Sequence, residues 1–263
     1  MRKCTEKDRK EILAYINKEP EMNLFIYGDI ENFGVDTEEV RIYVNEKDGE
    51  WDFLLLKYFD SYILYSQKDT YDILSVVEFM KDRQIDCISG KSILIKQLES
   101  YFPHYKIEGT YMCRCNKVAI EMPQISNGIL RELTVEDIDD MIELYLLIDE
   151  FQKTYRGRVE KAKEQEKINM EHGSTSYGVF VDGTLVAIAG TSASNSISAM
   201  VVGVATHPEM RGKGYAKAAV TKLCDSELKK GKQFLSLFYN NPAAGRLYSK
   251  VGFEEVGEYA MFR

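Results

Sequence analysis

Histidine and cysteine are scarce in this sequence, and long apolar runs are missing from it. The three histidines (His104, His172, His207) stand far apart, with no spacing that suits metal ligands. The five cysteines (Cys4, Cys87, Cys113, Cys115, Cys224) are odd in number and form no CxxC pair. Five in 263 residues are too few for a disulfide framework, so reduced thiols are expected. Cys113 and Cys115, in "MCRCN", share one face of a strand but lack further ligands, and no metal site is expected. No apolar run approaches the ~20 residues of a membrane-spanning helix. The opening stretch "MRKCTEKDRKEILAYINKEP" alternates charges where a signal peptide would be apolar. A cytoplasmic protein without a membrane partner is expected.

Excess positive charge is lacking too. The formal net charge is −8, and residues 1–127 carry 17 Lys and Arg against 23 Asp and Glu. That balance disfavours nucleic acid as a partner and slightly favours a cationic one. What the chain does have is core-building material: 17 Tyr and 12 Phe within a 44% hydrophobic composition. Its length suits two domains better than one.

Residues 5–33 read as two short helices parted near Pro20. The runs "VRIYVNE", "WDFLLLKYF" and "YILYSQ" then read as an antiparallel meander. A helix at about 70–83, a strand "DCIS", a helix at about 91–102 and a strand through "YKIEGTYMCRC" follow. "EMPQISNG" breaks all periodicity. The expected organisation is therefore an N-terminal α/β domain over 1–120, a linker over 121–127 and a second domain over 128–263.

In the second domain, Thr134 with Asp137 three residues on fits a helix N-cap, and Ile138, Met141, Ile142 and Tyr145 follow at helical spacing. Residues 149–171, with Tyr155, Arg156 and Arg158, fit either a solvated helix or a pocket cover. "VDGT" joins two strands as a hairpin, and "ISAMVVGVAT" is a third. A helix over 213–229 with an inward stripe of Ala216, Ala219, Val220, Leu223 and Cys224 is followed by the strand "QFLSLFY", a short helix and a last strand.

Neither the Walker A pattern nor the complete GxGxxG fingerprint of dinucleotide binding occurs. A different anion seat fits "RGKGYA", residues 211–216, between a strand and a helix. Gly212 and Gly214 let an anion come close to backbone N–H groups at a helix N-terminus, and Arg211, Lys213 and Lys217 add charge. A plain tight turn with exposed cations fits the same residues.

Some 30 residues downstream, "NNPAAGRLYSKVGF" adds a second pattern. Together with "HPEMRGKGYA" it resembles the GNAT family of N-acetyltransferases, matching the R/Q-x-x-G-x-G/A and N-x-x-A-x-x-L-Y…GF motifs in the right order over about residues 128–263. The resemblance implies acetyl-CoA as cosubstrate and a primary amine, of unknown identity, as acceptor. It implies a strand ending at Thr206 that splays from the next strand, with pantetheine bonding to the backbone of Val204, Ala205 and Thr206. The diphosphate would then lie on Arg211, Gly212, Lys213, Gly214, Tyr215, Ala216 and Lys217.

By the same resemblance Asn241 contacts pantetheine, although before Pro242 it also suits an N-cap, and Asn240 can take its place. Tyr248 lies near the thioester sulfur as general acid, against the alternative of a core tyrosine. No general base is apparent, since "ISAMVVGVAT" has no carboxylate and Glu150, Glu254, Glu255 and Tyr177 have no supporting spacing. The first half repeats the order of the second, but its turn "YSQKDTYDIL" has aspartates and no glycine. The expected fold class is thus mixed α/β (α+β), with tandem GNAT-like domains, each a mostly antiparallel twisted sheet flanked by helices, and one acetyl-CoA site, in a monomer or homodimer. A non-catalytic acyl-CoA-binding protein and a nucleotide-binding regulator are the competing expectations.

Overall fold

The computed structural model describes all of residues 1–263. Its chain order is β1 (Arg2–Lys3), α1 (Arg9–Ile16), α2 (Leu24–Phe33), β2 (Val40–Lys47), β3 (Glu50–Tyr58), β4 (Ser61–Tyr65), α3 (Ile73–Met80), β5 (Cys87–Lys91), α4 (Ser92–Ile95) and β6 (Ile107–Cys115). Then come β7 (Ile129–Glu132), α5 (Ile138–Leu146), α6 (Asp149–Tyr155), α7 (Val159–Glu171), β8 (Ser176–Val181), β9 (Thr184–Ser192) and β10 (Ser198–Thr206). The chain closes with α8 (Tyr215–Lys229), β11 (Phe234–Tyr239), α9 (Pro242–Val251) and β12 (Glu254–Phe262). No helix is long and apolar enough to cross a membrane.

The chain forms two compact units. One comprises Met1–Cys113 together with Glu255–Arg263, the other Arg114–Glu254. In the first unit β2, β3 and β4 form the expected meander, antiparallel from Val40↔Tyr58 through Tyr58↔Ser61. β5 then runs parallel to β4, from Ser61↔Cys87 to Leu64↔Gly90. Side chains alternate across this sheet, so its two faces carry separate cores. Phe53, Leu55, Tyr62 and Leu64 pack with Val76 and Met80 of α3, whereas Leu54, Leu56 and Tyr65 pack with Ile12, Ile26 and Ile30 of α1 and α2.

The last strand departs from the sequence expectation. Residues 128–263 read as one domain, but β12 pairs antiparallel with β5 of the first unit, from Tyr259↔Lys91 to Phe262↔Ile88. Ala260 and Phe262 complete the α3-side core there. An alternating strand buries its apolar face equally well on any sheet edge of matching pattern, so periodicity alone does not choose the partner.

The second unit orders its strands β11-β10-β9-β8-β7. Its hairpin β8–β9 turns through Asp182 (φ 47°) and Gly183 (φ 82°), the paired positive φ values of a tight two-residue connection. Thr134 and Asp137 cap a short 3-10 turn that leads into α5, as Asp137 accepts from the Thr134 N–H at 2.8 Å and Arg131 grips the same carboxylate at 2.6 and 2.7 Å. α5 lays Met141, Ile142 and Tyr145 on Leu185, Ile188 and Ala205, and α8 packs against β8 and β9. On α8 the buried stripe includes Ala218, Ala219, Leu223 and Cys224, while Ala216 is only half-buried. Glu227 joins that stripe because Lys230 pairs with it at 2.8 Å.

Candidate functional site

β10 begins as an ordinary neighbour of β11. Their parallel rungs are Ser198↔Phe234, Ala199↔Leu235 and Met200↔Ser236, and there they stop. Beyond Met200, β10 pairs only with β9, through Thr206↔Ala187, while β11 continues to Tyr239. The two strands therefore open a fork whose vertex lies at Met200 and Ser236. Ser236 is fully buried there and its hydroxyl has no hydrogen-bond partner.

The β10 wall of the fork is bulged. Its register with β9 jumps between Val202↔Gly190 and Ala205↔Ile188, so Gly203 and Val204 together face a single β9 residue. Gly203 takes φ 61°, and its carbonyl accepts a hydrogen bond from the Tyr145 hydroxyl at 3.2 Å. Ala205 turns its side chain into the α5 core. Because the His207 N–H bonds to Val186 on the β9 side, alternation turns the backbone of Thr206 toward the fork.

At the open end of β10 the chain turns through Pro208–Met210, where the His207 ring accepts from the Glu209 N–H, and enters the glycine-rich loop. Gly212 (φ 80°) and Gly214 (φ 85°) are left-handed, and a methyl group at either would meet open space, so conformation rather than crowding calls for glycine. Gly214 stands where a capping side chain normally sits, and α8 has none. Ala218 is the first residue of α8 to donate inside the helix, to the Gly214 carbonyl at 3.0 Å. The N–H groups of Gly212 through Lys217 thus have no acceptor in the chain, at the positive end of a fifteen-residue helix. Arg211 and Lys213 are exposed beside them, Lys217 is half-buried, and none of the three pairs with a carboxylate. These features suit a diphosphate, and the fork with its orphaned hydroxyl suits an extended amide-bearing arm.

α9 follows β11. Asn241 caps it, accepting from the Ala243 N–H at 2.9 Å, with Pro242 at the first helical position. One of the two roles open to Asn241 is thereby filled by its side-chain oxygen; Asn240 is exposed. Tyr248 is 7% exposed, with its ring against Tyr239 at 6.2 Å and Phe253 at 5.9 Å. Tyr239 is the last residue of β11, so Tyr248 belongs to the open end of the fork.

The carboxylates and phenol weighed as bases fare differently. Glu150, Glu254 and Glu255 are exposed. Tyr177 bonds to Glu132 and to Ser226, both at 3.1 Å, and Ser226 lies roughly 16 Å along α8 from its N-terminus at 1.5 Å per residue. One further carboxylate, not singled out in the sequence, lies on the inward side of a helix. Residues 149–171 split at Gly157 into α6 and α7, and α7 turns Val159, Ala162 and Met170 onto the α5 core. Glu166 shares that stripe, and the sequence signal for it is a carboxylate interrupting an apolar row at helical spacing. No set of His, Cys, Asp and Glu side chains gathers as metal ligands.

A fork between parallel strands that opens onto a glycine-rich helix start is a fold signature, and comparison with known proteins identifies it. Residues 144–253 match the model of the acetyltransferase (GNAT) family. This segment is a GNAT-family domain. Family membership implies acyl-CoA-dependent acyl transfer. Among solved structures, a GCN5-related N-acetyltransferase-like protein from Streptococcus suis is similar over 99% of this chain and 100% of its own, with 15% identity and a TM-score of 0.60. A tandem GNAT protein from the clavulanic acid biosynthesis pathway is similar over 99% and 96%, with 12% identity and a TM-score of 0.60. A Drosophila protein reaches a TM-score of 0.69 at 11% identity over 99% and 97%. At such identities the likeness shows the fold alone, one shared with a tandem GNAT protein. No curated protein sequence matches.

The first unit repeats the element order of the GNAT domain without its fork. β4 and β5 stay paired from Ser61↔Cys87 through Leu64↔Gly90, nearly their full lengths, so no fork opens. The N-terminus of α3 is already capped by Asp72, which accepts from the Ser75 N–H at 3.2 Å and from its hydroxyl at 2.6 Å. The surface hollow at that end is lined by Asp48, Glu50, Asp52 and Asp72 against Lys47 and Lys68.

Proposed function

We propose that the protein is an N-acetyltransferase that passes the acetyl group of acetyl-CoA directly to a primary amine at the β10–β11 fork. The observation that carries this reading is the early end of the β10–β11 pairing next to six unpartnered N–H groups at the start of α8. Unpaired strand edges are costly when buried, so an amide-bearing arm that bonds to them as an added strand is favoured over an empty slot. Thr206 and the bulge at Gly203 and Val204 offer the bonds on one side. The N–H groups of Gly212 through Lys217 hold the diphosphate, with Arg211, Lys213 and Lys217 neutralising it.

Acetyl-CoA supplies an activated acyl group. As the amine forms its bond to the carbonyl carbon, the carbon–sulfur bond breaks, and Tyr248 donates a proton to the departing thiolate. The phenol is then restored by solvent at the open end of the fork. Five free cysteines suit a reducing cytoplasm. In this reading the first unit has a supporting or substrate-shaping role and no acetyl-CoA seat of its own, because its equivalent fork is closed and its helix start carries carboxylates.

Thiol release from acetyl-CoA in the presence of a panel of primary amines tests the activity. Tyr248→Phe is expected to lower kcat by about 10²-fold, within the usual range for a general acid, with acetyl-CoA affinity unchanged. Acetyl-CoA binding without thiol release from any amine would mean a binding protein rather than an enzyme. Unaltered turnover in Tyr248→Phe would remove the phenol from the mechanism.

A further inference from the structure

Ser236, at the vertex of the fork, is a polar residue without a polar partner in the chain. It is fully buried in β11 and its hydroxyl makes no hydrogen bond. The side chains around it on the two strands, Met200, Val201 and Val202 of β10 and Leu235 and Leu237 of β11, are all apolar. A hydroxyl buried with nothing to bond to is a cost that alanine would avoid at this position. A ligand atom that accepts from it removes that cost.

Strand register fixes the side from which it approaches. Ile188 packs into the α5 core, so alternation along β9 puts Gly190 and Ser192 on that same face. The rungs Val202↔Gly190 and Met200↔Ser192 carry the face to β10, and Met200↔Ser236 carries it to β11. Leu235, Leu237 and Tyr239 alternate onto the other face, and Tyr239 meets the Tyr248 ring. The serine hydroxyl and the phenol thus address the fork from opposite sides. Depth agrees with this. From Thr206 at the mouth to Met200 at the vertex the fork is about 20 Å deep, at about 3.3 Å per residue. An extended pantetheine arm has roughly 13 bonds, or about 15 Å, between diphosphate and thioester carbon. With the diphosphate at the mouth, a carbonyl and one hydrogen bond of about 2.8 Å fill the remaining distance to the vertex. The sulfur then falls about two residues short of the vertex, level with Phe238 and next to Tyr239, where Tyr248 packs.

We propose that the Ser236 hydroxyl donates a hydrogen bond to the carbonyl oxygen of the bound thioester and keeps it as that oxygen gains negative charge on amine addition. The inference rests on the acetyltransferase reading. A donor fixed in a site closed to water needs no reorganisation as the charge develops, so the bond strengthens where the reaction needs it. Ser236 transfers no proton. The nitrogen–carbon bond forms and the carbon–sulfur bond breaks, Tyr248 protonates the thiolate, and the proton lost by the nitrogen returns to the phenol through solvent. The same contact makes the fork favour the acyl thioester over the CoA thiol, which has no carbonyl to accept the bond.

The test is calorimetry on the full-length protein, Ser236→Ala and Ser236→Cys, with acetyl-CoA and with S-ethyl-CoA, a thioether that has a methylene in place of the carbonyl. In Ser236→Ala the ratio of the two affinities is expected to shift by about five- to tenfold toward S-ethyl-CoA, while S-ethyl-CoA affinity itself stays within about twofold. Ser236→Cys, of similar size but a weaker donor, is expected to give an intermediate ratio. Urea unfolding of Ser236→Ala without ligand is expected to match or exceed wild type, since the hydroxyl bonds to nothing in the chain. An affinity ratio unchanged in Ser236→Ala, or a clear loss of stability in it without ligand, overturns the carbonyl contact while leaving acetyl-CoA binding intact. Failure of the wild type to bind either CoA derivative would instead overturn the underlying reading, and the contact with it.

Discussion

Gly203 links the fold of the GNAT domain to its site, and replacing it with alanine separates two energetic contributions. The residue sits at φ 61°, where an L side chain costs about 1–2 kcal/mol. An alanine methyl would overlap the Tyr145 hydroxyl and lie 3.2 Å from the ring carbon that bears it. Tyr145 has little room to yield, being 4% exposed and stacked on Tyr155, so its bond to the Gly203 carbonyl is expected to break. Leaving those buried groups unpaired costs a further ~1–3 kcal/mol. Gly203→Ala is therefore expected to destabilise by about 2–5 kcal/mol in urea unfolding. Gly214→Ala is the matched control, since Gly214 is also left-handed (φ 85°) but its methyl would meet nothing. It is expected to show only the conformational ~1–2 kcal/mol. Repeating Gly203→Ala in a Tyr145→Phe background, where the hydroxyl is gone, should bring its cost down to the Gly214→Ala value. Equal costs for Gly203→Ala in both backgrounds would refute the reasoning, because the tyrosine contact would then contribute nothing.

Asp29 on α2 has its carboxyl pushed up to about 7 from an ordinary 3.8, by burial. A raised acid favours the folded state while protonated and loses that advantage as pH rises through the shifted value. Asp29→Asn is thus expected to be more stable than wild type by up to about 4 kcal/mol near pH 8 and indistinguishable below about pH 4, by urea melts; a constant difference across pH would contradict this. Asp137 has the opposite sign, since its hydrogen bonds from Arg131 and Thr134 hold its carboxyl below the usual range. Asp137→Ala is expected to cost about 1–3 kcal/mol at neutral pH, and the gap to wild type is expected to close as pH falls through the depressed value. Glu166→Gln, which removes a desolvated charge, is expected to leave the melting temperature unchanged or raise it at neutral pH.

Local features were legible in the sequence because their causes are local. The β2–β4 meander follows from β-branched and aromatic runs between turn residues, the β8–β9 hairpin from "VDGT", and the α5 start from Thr134 and Asp137. The glycine-rich loop was legible because the left-handed turn before α8 calls for glycine at 212 and 214, and "NNPAAGRLYSKVGF" because Asn241 and Pro242 open α9. The placement of β12 beside β5 was not legible, since any alternating strand satisfies the same pattern. Glu166 was hidden by its neighbours: in "VEKAKEQEKINME" charges surround it on every side, and only the inward packing of Ala162 and Met170 shows that this one faces the core. The half-buried rather than buried Ala216 reflects the helix start, where the first turn of α8 lies at the open loop.

The proposed function requires a single acetyl-CoA seat in the chain, at the β10–β11 fork and the start of α8. Titration calorimetry of the full-length protein with acetyl-CoA tests it most directly. Saturable binding of one acetyl-CoA per chain is expected, abolished by Gly214→Val. Two acetyl-CoA molecules per chain, or binding that survives Gly214→Val unchanged, would contradict it.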